Sequence, residues 1–228
     1  MNPVEEALAK GQAALTEFDA KRFLSGFGIP ICRETLVNSP EKAATEAERI
    51  GFPVVAKASG AVLLHKTEVG GVALNLKSPA EVKDEAGRLL KIPGCQAVLV
   101  QEMVAGDREL VCGLTRDAQF GPCVMFGLGG ILTEVLDDVA FRLAPLTQTD
   151  AMEMLQEIRS AKILGPFRGQ PPADRAALSR ILVALGAIAV QYEAIREIDL
   201  NPVKIRVDGS PVAVDALISL APTETARV

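Results

Sequence analysis

The chain has 228 residues, nearly half of them hydrophobic, with 24 basic against 29 acidic side chains and a net charge of −5. That is ample material for a buried core, and an acidic balance without a basic run excludes the electrostatic footprint of a nucleic-acid or membrane-surface binder. One histidine and four cysteines without CxxC spacing argue against a zinc site, and the lack of Trp, with a single Tyr, argues against a stacking platform for bases.

The cysteines (Cys32, Cys95, Cys112, Cys123) read as small buried thiols of a reducing compartment. The N-terminal MNPVEEALAKGQ lacks the apolar core of a secretory signal, and no apolar run approaches the roughly 20 residues that span a bilayer. A cytoplasmic protein that does not enter membranes is the expectation.

In TEFDAKRFLSGFGIP the spacing of Phe18, Phe23, Leu24 and Phe27 predicts a helix stopped by Gly28 and Pro30. SPEKAATEAERIGFP predicts a second, with Ser39 as N-cap, Pro40 at the first helical position, and Gly51 and Pro53 closing it. PVVAKAS is a short buried strand, and GGVALNL (70–76) a strand with Val72, Leu74 and Leu76 on one face. SPAEVKDEAGRLLKI opens with a Ser78-x-x-Glu81 capping box, and QAVLVQEMV (96–104) is a strand.

From there the pattern changes to successive strands: RELVCGLTRD, FGPCVMFG and, after a Gly-rich turn, a segment ending FRLAPL. Asp117 to Gly121 is a hairpin connection. Two helices follow, TDAMEMLQEI and DRAALSRILVALGAIAVQY, the second capped by Asp174. Two strands, AIREIDLNPVKIRV and PVAVDALISL, joined at Asp208-Gly209, close the chain. The class is α/β, organised as two α+β lobes, 1–98 and 99–228, hinged near 99–104, with a ligand expected in the cleft between them.

EIDLNP carries the most chemistry. On a strand Glu197, Asp199 and Asn201 share one face while Ile198 and Leu200 point to the core, and Pro202 ends the strand. Carboxylates and an amide oxygen suit Mg2+, which prefers oxygen ligands and substrate phosphates. Asp215 interrupts the apolar run Val212, Val214, Ala216, Leu217, where a carboxylate needs a partner or a metal. The plainer alternative is a solvated edge strand with Asp215 capping a turn.

Lys57, on a buried strand, needs an anion, either a phosphate or a structural Glu. Gly60, Gly70 and Gly71 would let backbone N–H groups approach phosphate, although neither a P-loop nor a GxGxxG is present. FGLGGILTEVLDD holds three glycines in four residues, including Gly129 and Gly130, followed by Glu134; it is a second phosphate-facing loop or a tight bend. Glu102 and Glu109 are acceptors for a ribose or an adenine amino group, or else surface carboxylates. Arg142 meets phosphate, or pairs with Asp137 or Asp138.

In this order, GFPVVAKA, HKTEVGGVALNL, VLVQEMVAGDRELVCG, FGPCVMFGLGGILTEVLDD and EIDLNPVKI…VAVDA resemble the ATP-grasp (β) subunits of ADP-forming acyl-CoA synthetases such as acetate–CoA ligase, over roughly residues 16 to 220. The resemblance implies an ATP-grasp fold with ATP/ADP and Mg2+ as cofactors. It implies that Lys57 contacts the nucleotide phosphates, that Gln101, Glu102, Met103 and Val104 frame the adenine, and that Glu109 holds the ribose. Asp199, Asn201 and Asp215 would bind Mg2+, and Gly129, Gly130, Glu134 and Arg142 would lie by the transferred phosphoryl group.

His65, the one histidine, matches a family histidine that relays the phosphoryl group, with Lys66, Gly70 and Gly71 offsetting its charge. The alternative for His65 is a loop histidine that only hydrogen-bonds. The acyl-CoA chemistry would belong to a CoA-binding α-type partner in an αβ or α2β2 complex, because this chain has no Rossmann fingerprint and no second histidine. Its positive mean hydropathy fits surface buried against that partner. Two other readings share much of this site: a different ATP-grasp carboxylate ligase, which has no need of His65, and a non-catalytic nucleotide-binding regulatory subunit.

Overall fold

A computed structural model describes residues 2–60, 69–130 and 138–221. The chain forms two compact units, one of residues 32–104 and one of 1–31 together with 105–228. The boundary expected at 98/99 therefore differs at both ends. The first 31 residues belong with the C-terminal unit because their backbone bonds to it: Leu15 N–H donates to Ile218 O at 3.0 Å, and Leu220 N–H donates to Ala13 O at 2.8 Å.

In the unit of residues 32–104, β1 (Glu34–Val37), α1 (Pro40–Ile50), β2 (Val54–Ser59), β3 (Val72–Leu76), α2 (Pro79–Leu89) and β4 (Ala97–Glu102) follow in order. The strands make an antiparallel sheet ordered β1-β4-β2-β3. Both N-caps form as the sequence predicts, Ser39 Oγ accepting from Lys42 N–H and Ser78 Oγ from Glu81 N–H, each with Pro in the first turn; the expected Ser78/Glu81 box is not reciprocal, since Glu81 Oε2 accepts from Lys77 N–H at 2.8 Å. Val54, Ala56, Ala58, Val98, Val100 and Leu76 pack on Ala43, Ala47, Val82, Ala86 and Leu89 of these helices.

The even alternation expected in β3 fails. Leu76 pairs with Val54 and Ala73 with Ala56, so Leu74 and Asn75 together oppose Val55 in a β-bulge. Asn75 takes φ 59°, a conformation its short polar side chain tolerates, and Leu74 turns outward, 63% exposed.

The other unit begins with a helix the sequence reading missed, α3 (Pro3–Ala9), closed by an Asn2/Glu5 capping box, and then α4 (Glu17–Ser25). Its sheet comprises β5 (Arg108–Asp117), β6 (Gly121–Leu128), β7 (Val139–Leu143), β8 (Ile195–Ile205), β9 (Pro211–Ala213) and β10 (Leu217–Leu220), ordered β10-β8-β5-β6-β7 with β9 beside β8. α5 (Gln148–Glu157) and α6 (Arg175–Gln191) lie between β7 and β8 in sequence. They cover one face of the sheet, burying Leu110, Cys112, Leu114, Val124, Phe126, Ile198 and Leu200 against Met154, Leu155, Leu178, Leu182 and Leu185. Each such side chain contributes about 1.5–3 kcal/mol by leaving water.

Asp117 Oδ1 accepts from Gln119 and Phe120 N–H, fixing the β5–β6 hairpin. The last predicted strand divides into β9 and β10, which pair with different ends of β8. Among the described residues, no helix is long and apolar enough to cross a membrane.

Candidate functional site

Strand register decides which predicted residues meet. On β8, Ile198 and Leu200 are buried under the helices, while Glu197 and Asn201 are exposed and Asp199 is half-buried on the opposite face. Asp199 lies across from Gly113 on β5 and from Leu217 on β10. Asp215 comes two residues before Leu217, which brings the carboxylates of Glu197, Asp199 and Asp215 near one another. Burial, with the charges of Glu197 and Asp215 added, pushes the Asp199 carboxyl up to about 6.

Pro202 does not end β8. Leu110 pairs with Val203 and Cys112 with Leu200, so Asn201 and Pro202 together oppose Val111, and the strand runs on as a bulge. After the bulge Lys204 stands opposite Glu109, with Nζ 3.3 Å from Oε1. Lys204 was not among the sequence candidates. A proline inside a strand is a bulge signal as well as a stop signal, and only that reading would have found it.

Mutually repelling, partly desolvated carboxylates fit a bound cation. Among the described residues, no three His, Cys, Asp or Glu side chains form a group that would hold an ion by themselves. Two carboxylates and an amide are nevertheless a donor set for Mg2+, which commonly takes its remaining ligands from phosphates and water.

The last two glycines of FGLGG, Gly129 and Gly130, lie against the start of β5. A Cβ on Gly129 would stand 2.6 Å from the carbonyl carbon of Leu110, and one on Gly130 2.6 Å from Glu109 Oε2. Gly129 N–H donates to Glu109 O at 2.8 Å. Close packing, of Gly129 on the Leu110 backbone and of Gly130 on the Glu109 side chain, accounts for these two glycines and brings the loop to the Glu109–Lys204 pair.

Arg142 is not brought to the carboxylates. It pairs with Val124 in register, on the helix-covered face, and its guanidinium lies 2.8 Å from Glu157 and 4.0 Å from Glu153 on α5. Nor does it meet Asp138, whose carboxylate accepts from Arg159 N–H at 2.7 Å and Ser160 N–H at 2.8 Å.

In the unit of residues 32–104, Val55, Lys57, Leu99 and Gln101 face away from α1 and α2, since Ala56, Ala58, Val98 and Val100 face the helices. Lys57 and Gln101 are both buried. Glu102 falls on the other face, where its carboxylate accepts from Arg33 N–H at 2.9 Å and Arg33 Nε at 3.2 Å. Its N–H also donates to Arg33 O, at 2.9 Å, so carboxylate and N–H are both engaged with Arg33. Met103 N–H donates to Pro53 O at 3.2 Å, its side chain is 40% exposed, and Val104 is buried.

Gly70 and Gly71 anchor the entry to β3. Gly70 has φ 65° and its carbonyl accepts from Arg88 Nη1 at 2.8 Å, while Gly71 O accepts from Ala58 N–H at 2.7 Å. His65, Lys66 and Glu134 lie outside the described residues.

The ATP-grasp domain family matches residues 6–220. The β subunit of acetate–CoA ligase [ADP-forming] II from Pyrococcus furiosus is 39% identical over 226 residues, covering 95% of this chain and 96% of that one. An acetyl-coenzyme A synthetase 1 from Ca. Korarchaeum cryptofilum, solved with coenzyme A and Ca-AMPCP, superposes with a TM-score of 0.90 at 41% identity, over 96% of this chain and 98% of that chain. The same enzyme with coenzyme A and Mg-AMPPCP, its phosphohistidine segment pointing towards the nucleotide binding site, gives a TM-score of 0.85 at 41% identity, over the same shares.

Proposed function

The chain belongs to the ATP-grasp family, and from that premise we propose that it is the nucleotide-binding β subunit of an ADP-forming acyl-CoA synthetase, a ligase using ATP/ADP and Mg2+. The observation that carries the reading is the end-to-end match to a β subunit, 95% of this chain against 96% of that relative. A β subunit implies an α partner. We assign to that partner CoA binding and formation of the acyl phosphate, in an αβ or α2β2 assembly that makes carboxylic acid, CoA and ATP from acyl-CoA, phosphate and ADP. A relative with a phosphohistidine segment that points towards its nucleotide site supports this division of labour.

Within the chain, Lys57 holds the nucleotide phosphates, and the backbone of Gln101 to Val104 frames the base. Glu109, seated on Lys204, accepts from the ribose hydroxyls. Asp199, Asn201 and Asp215 hold Mg2+, which when bound neutralises phosphate charge. The neutral imidazole of His65 attacks the phosphorus of the partner's phosphohistidine, so that one P–N bond forms as the other breaks. An oxygen of the ADP β-phosphate then displaces His65 and yields ATP. Lys66 and the N–H groups of Gly70, Gly71 and Gly130 stabilise the moving charge, with Gly129 holding the loop on Glu109 O and Glu134 beside it.

The test is incubation of the purified chain, with and without its α partner, with γ-labelled MgATP. Acid-labile, base-stable label on the peptide holding His65, lost in His65→Asn, is the expected outcome. No label in either mixture, with ADP binding intact, would remove His65 from the phosphoryl path.

A further inference from the structure

The segment that carries Asp215 is held by the first 31 residues of the chain at four points. Ala213 N–H donates to Pro30 O at 2.9 Å, Leu15 N–H donates to Ile218 O at 3.0 Å, and Leu220 N–H donates to Ala13 O at 2.8 Å. The fourth tie is a side chain: Lys21 Nζ donates to Val214 O at 3.2 Å, one residue before Asp215. Asp215 connects β9 to β10, and its own Oδ1 accepts from Ala216 N–H at 2.8 Å. Its direction is therefore set by the peptides on either side of it.

Lys21 is fully buried, and its ammonium lies 2.7 Å from Glu17 Oε1 one turn earlier on α4, on a carboxylate that is also buried. The rest of the buried face of α4 is Ala20, Phe23 and Leu24. A desolvated ion pair there contributes little that two well-packed apolar side chains would not, because the loss of hydration offsets most of the attraction. What apolar side chains would not supply is a charged donor on the Val214 carbonyl.

We propose that Lys21, oriented by Glu17, is a positioning residue for the cation site: by fixing the Val214 carbonyl it aims the Asp215 carboxylate. The proposal rests on the reading of Asp215 as a metal ligand. Groups that orient a ligand from behind typically change metal affinity by about 10–100-fold when removed.

The experiment uses Mn2+ as the probe, its affinity for the full-length chain with ADP present being read by electron paramagnetic resonance. Glu17→Leu/Lys21→Met keeps the volume of the pair and leaves no buried charge behind, and its thermal midpoint is measured alongside. The expected result is a midpoint at or near that of the parent with Mn2+ binding weakened about 10-fold. Lys21→Arg, which keeps the ion pair but displaces the donor from the Val214 carbonyl, is the second variant and shows the same weakening even if the double variant does not fold.

Parental Mn2+ affinity in a folded variant would make the pair a packing feature only. Asp215→Asn is run in parallel to separate the two readings. If it too binds Mn2+ as the parent does, the metal-ligand reading of Asp215 falls and takes this inference with it. If Asp215→Asn weakens binding while the Lys21 variants do not, only the positioning role falls.

Discussion

Glu109 and Lys204 stand directly across the β5–β8 ladder, with Oε1 3.3 Å from Nζ, and the other oxygen of the same carboxylate leaves no room for a side chain on Gly130. The glycine loop and the ion pair therefore form one surface. Gly130 also has φ 77°, where an L-residue is strained. Gly130→Ala should cost about 1 kcal/mol of stability and lower ADP affinity, because Glu109 must swing aside. Gly129→Ala should cost more, since its Cβ would meet the Leu110 backbone rather than a movable side chain. Thermal melts and ADP titration of both variants check the order.

Asp199 ionises at a cost in the metal-free fold. Its folded value of about 6 lies above the ordinary carboxylate value, so the folded state holds the proton more tightly than the unfolded chain. Stability from this group is thus lost as pH rises from about 4 to about 6 and stays lost above. Asp199→Asn should raise metal-free stability by about 1–2 kcal/mol at pH 8 and give no gain at pH 4. The same variant should lose Mg2+-dependent nucleotide binding. Urea unfolding at the two pH values, without and with Mg2+, reads both effects.

Arg116 joins the end of α6 to the start of β8, the strand that carries Asp199. Its guanidinium donates to Ile195 O at 2.6 Å, Ala189 O at 2.7 Å and Tyr192 O at 2.9 Å. Three carbonyls on one planar fork cannot be replaced by a single ammonium. Arg116→Lys should lose about 2–3 kcal/mol, nearly as much as Arg116→Ala, in denaturant unfolding.

The four thiols should react in two classes. Cys32 and Cys112 are buried, and burial, with the Asp199 charge added, pushes the Cys112 thiol up to about 12. Cys95 and Cys123 are half-buried. At pH 8 the native chain should leave Cys32 and Cys112 unalkylated by iodoacetamide, and all four should react in denaturant; mass spectrometry reads the count.

Much of this was legible in the residues. Ser39, Ser78 and Asp174 were read as helix caps because a short polar side chain before a helical pattern satisfies local N–H groups, whatever lies beyond. Asn2-Pro3-x-Glu5 carries the same capping-box signal at the N-terminus. The ordered motifs gave the ATP-grasp resemblance, and period-two patterning put Glu197, Asp199 and Asn201 on one face.

The rest was settled by partners distant in sequence. Register relative to β5 turned Pro202 from a stop into a bulge and delivered Lys204 to Glu109. Register relative to β6 put Arg142 on the face of α5, away from Asp199, and the pairing of β4 with β2 put Gln101, and not Glu102, on the face of Lys57. Backbone bonds between residues 13–31 and 213–220 drew the N-terminal segment into the C-terminal unit and Lys21 to the Asp215 segment. Caps, turns and alternation are local energies that a few neighbouring residues fix. Which strand lies beside which, and in what register, is decided by burial summed over the whole sheet, and that sum exists only in the folded chain.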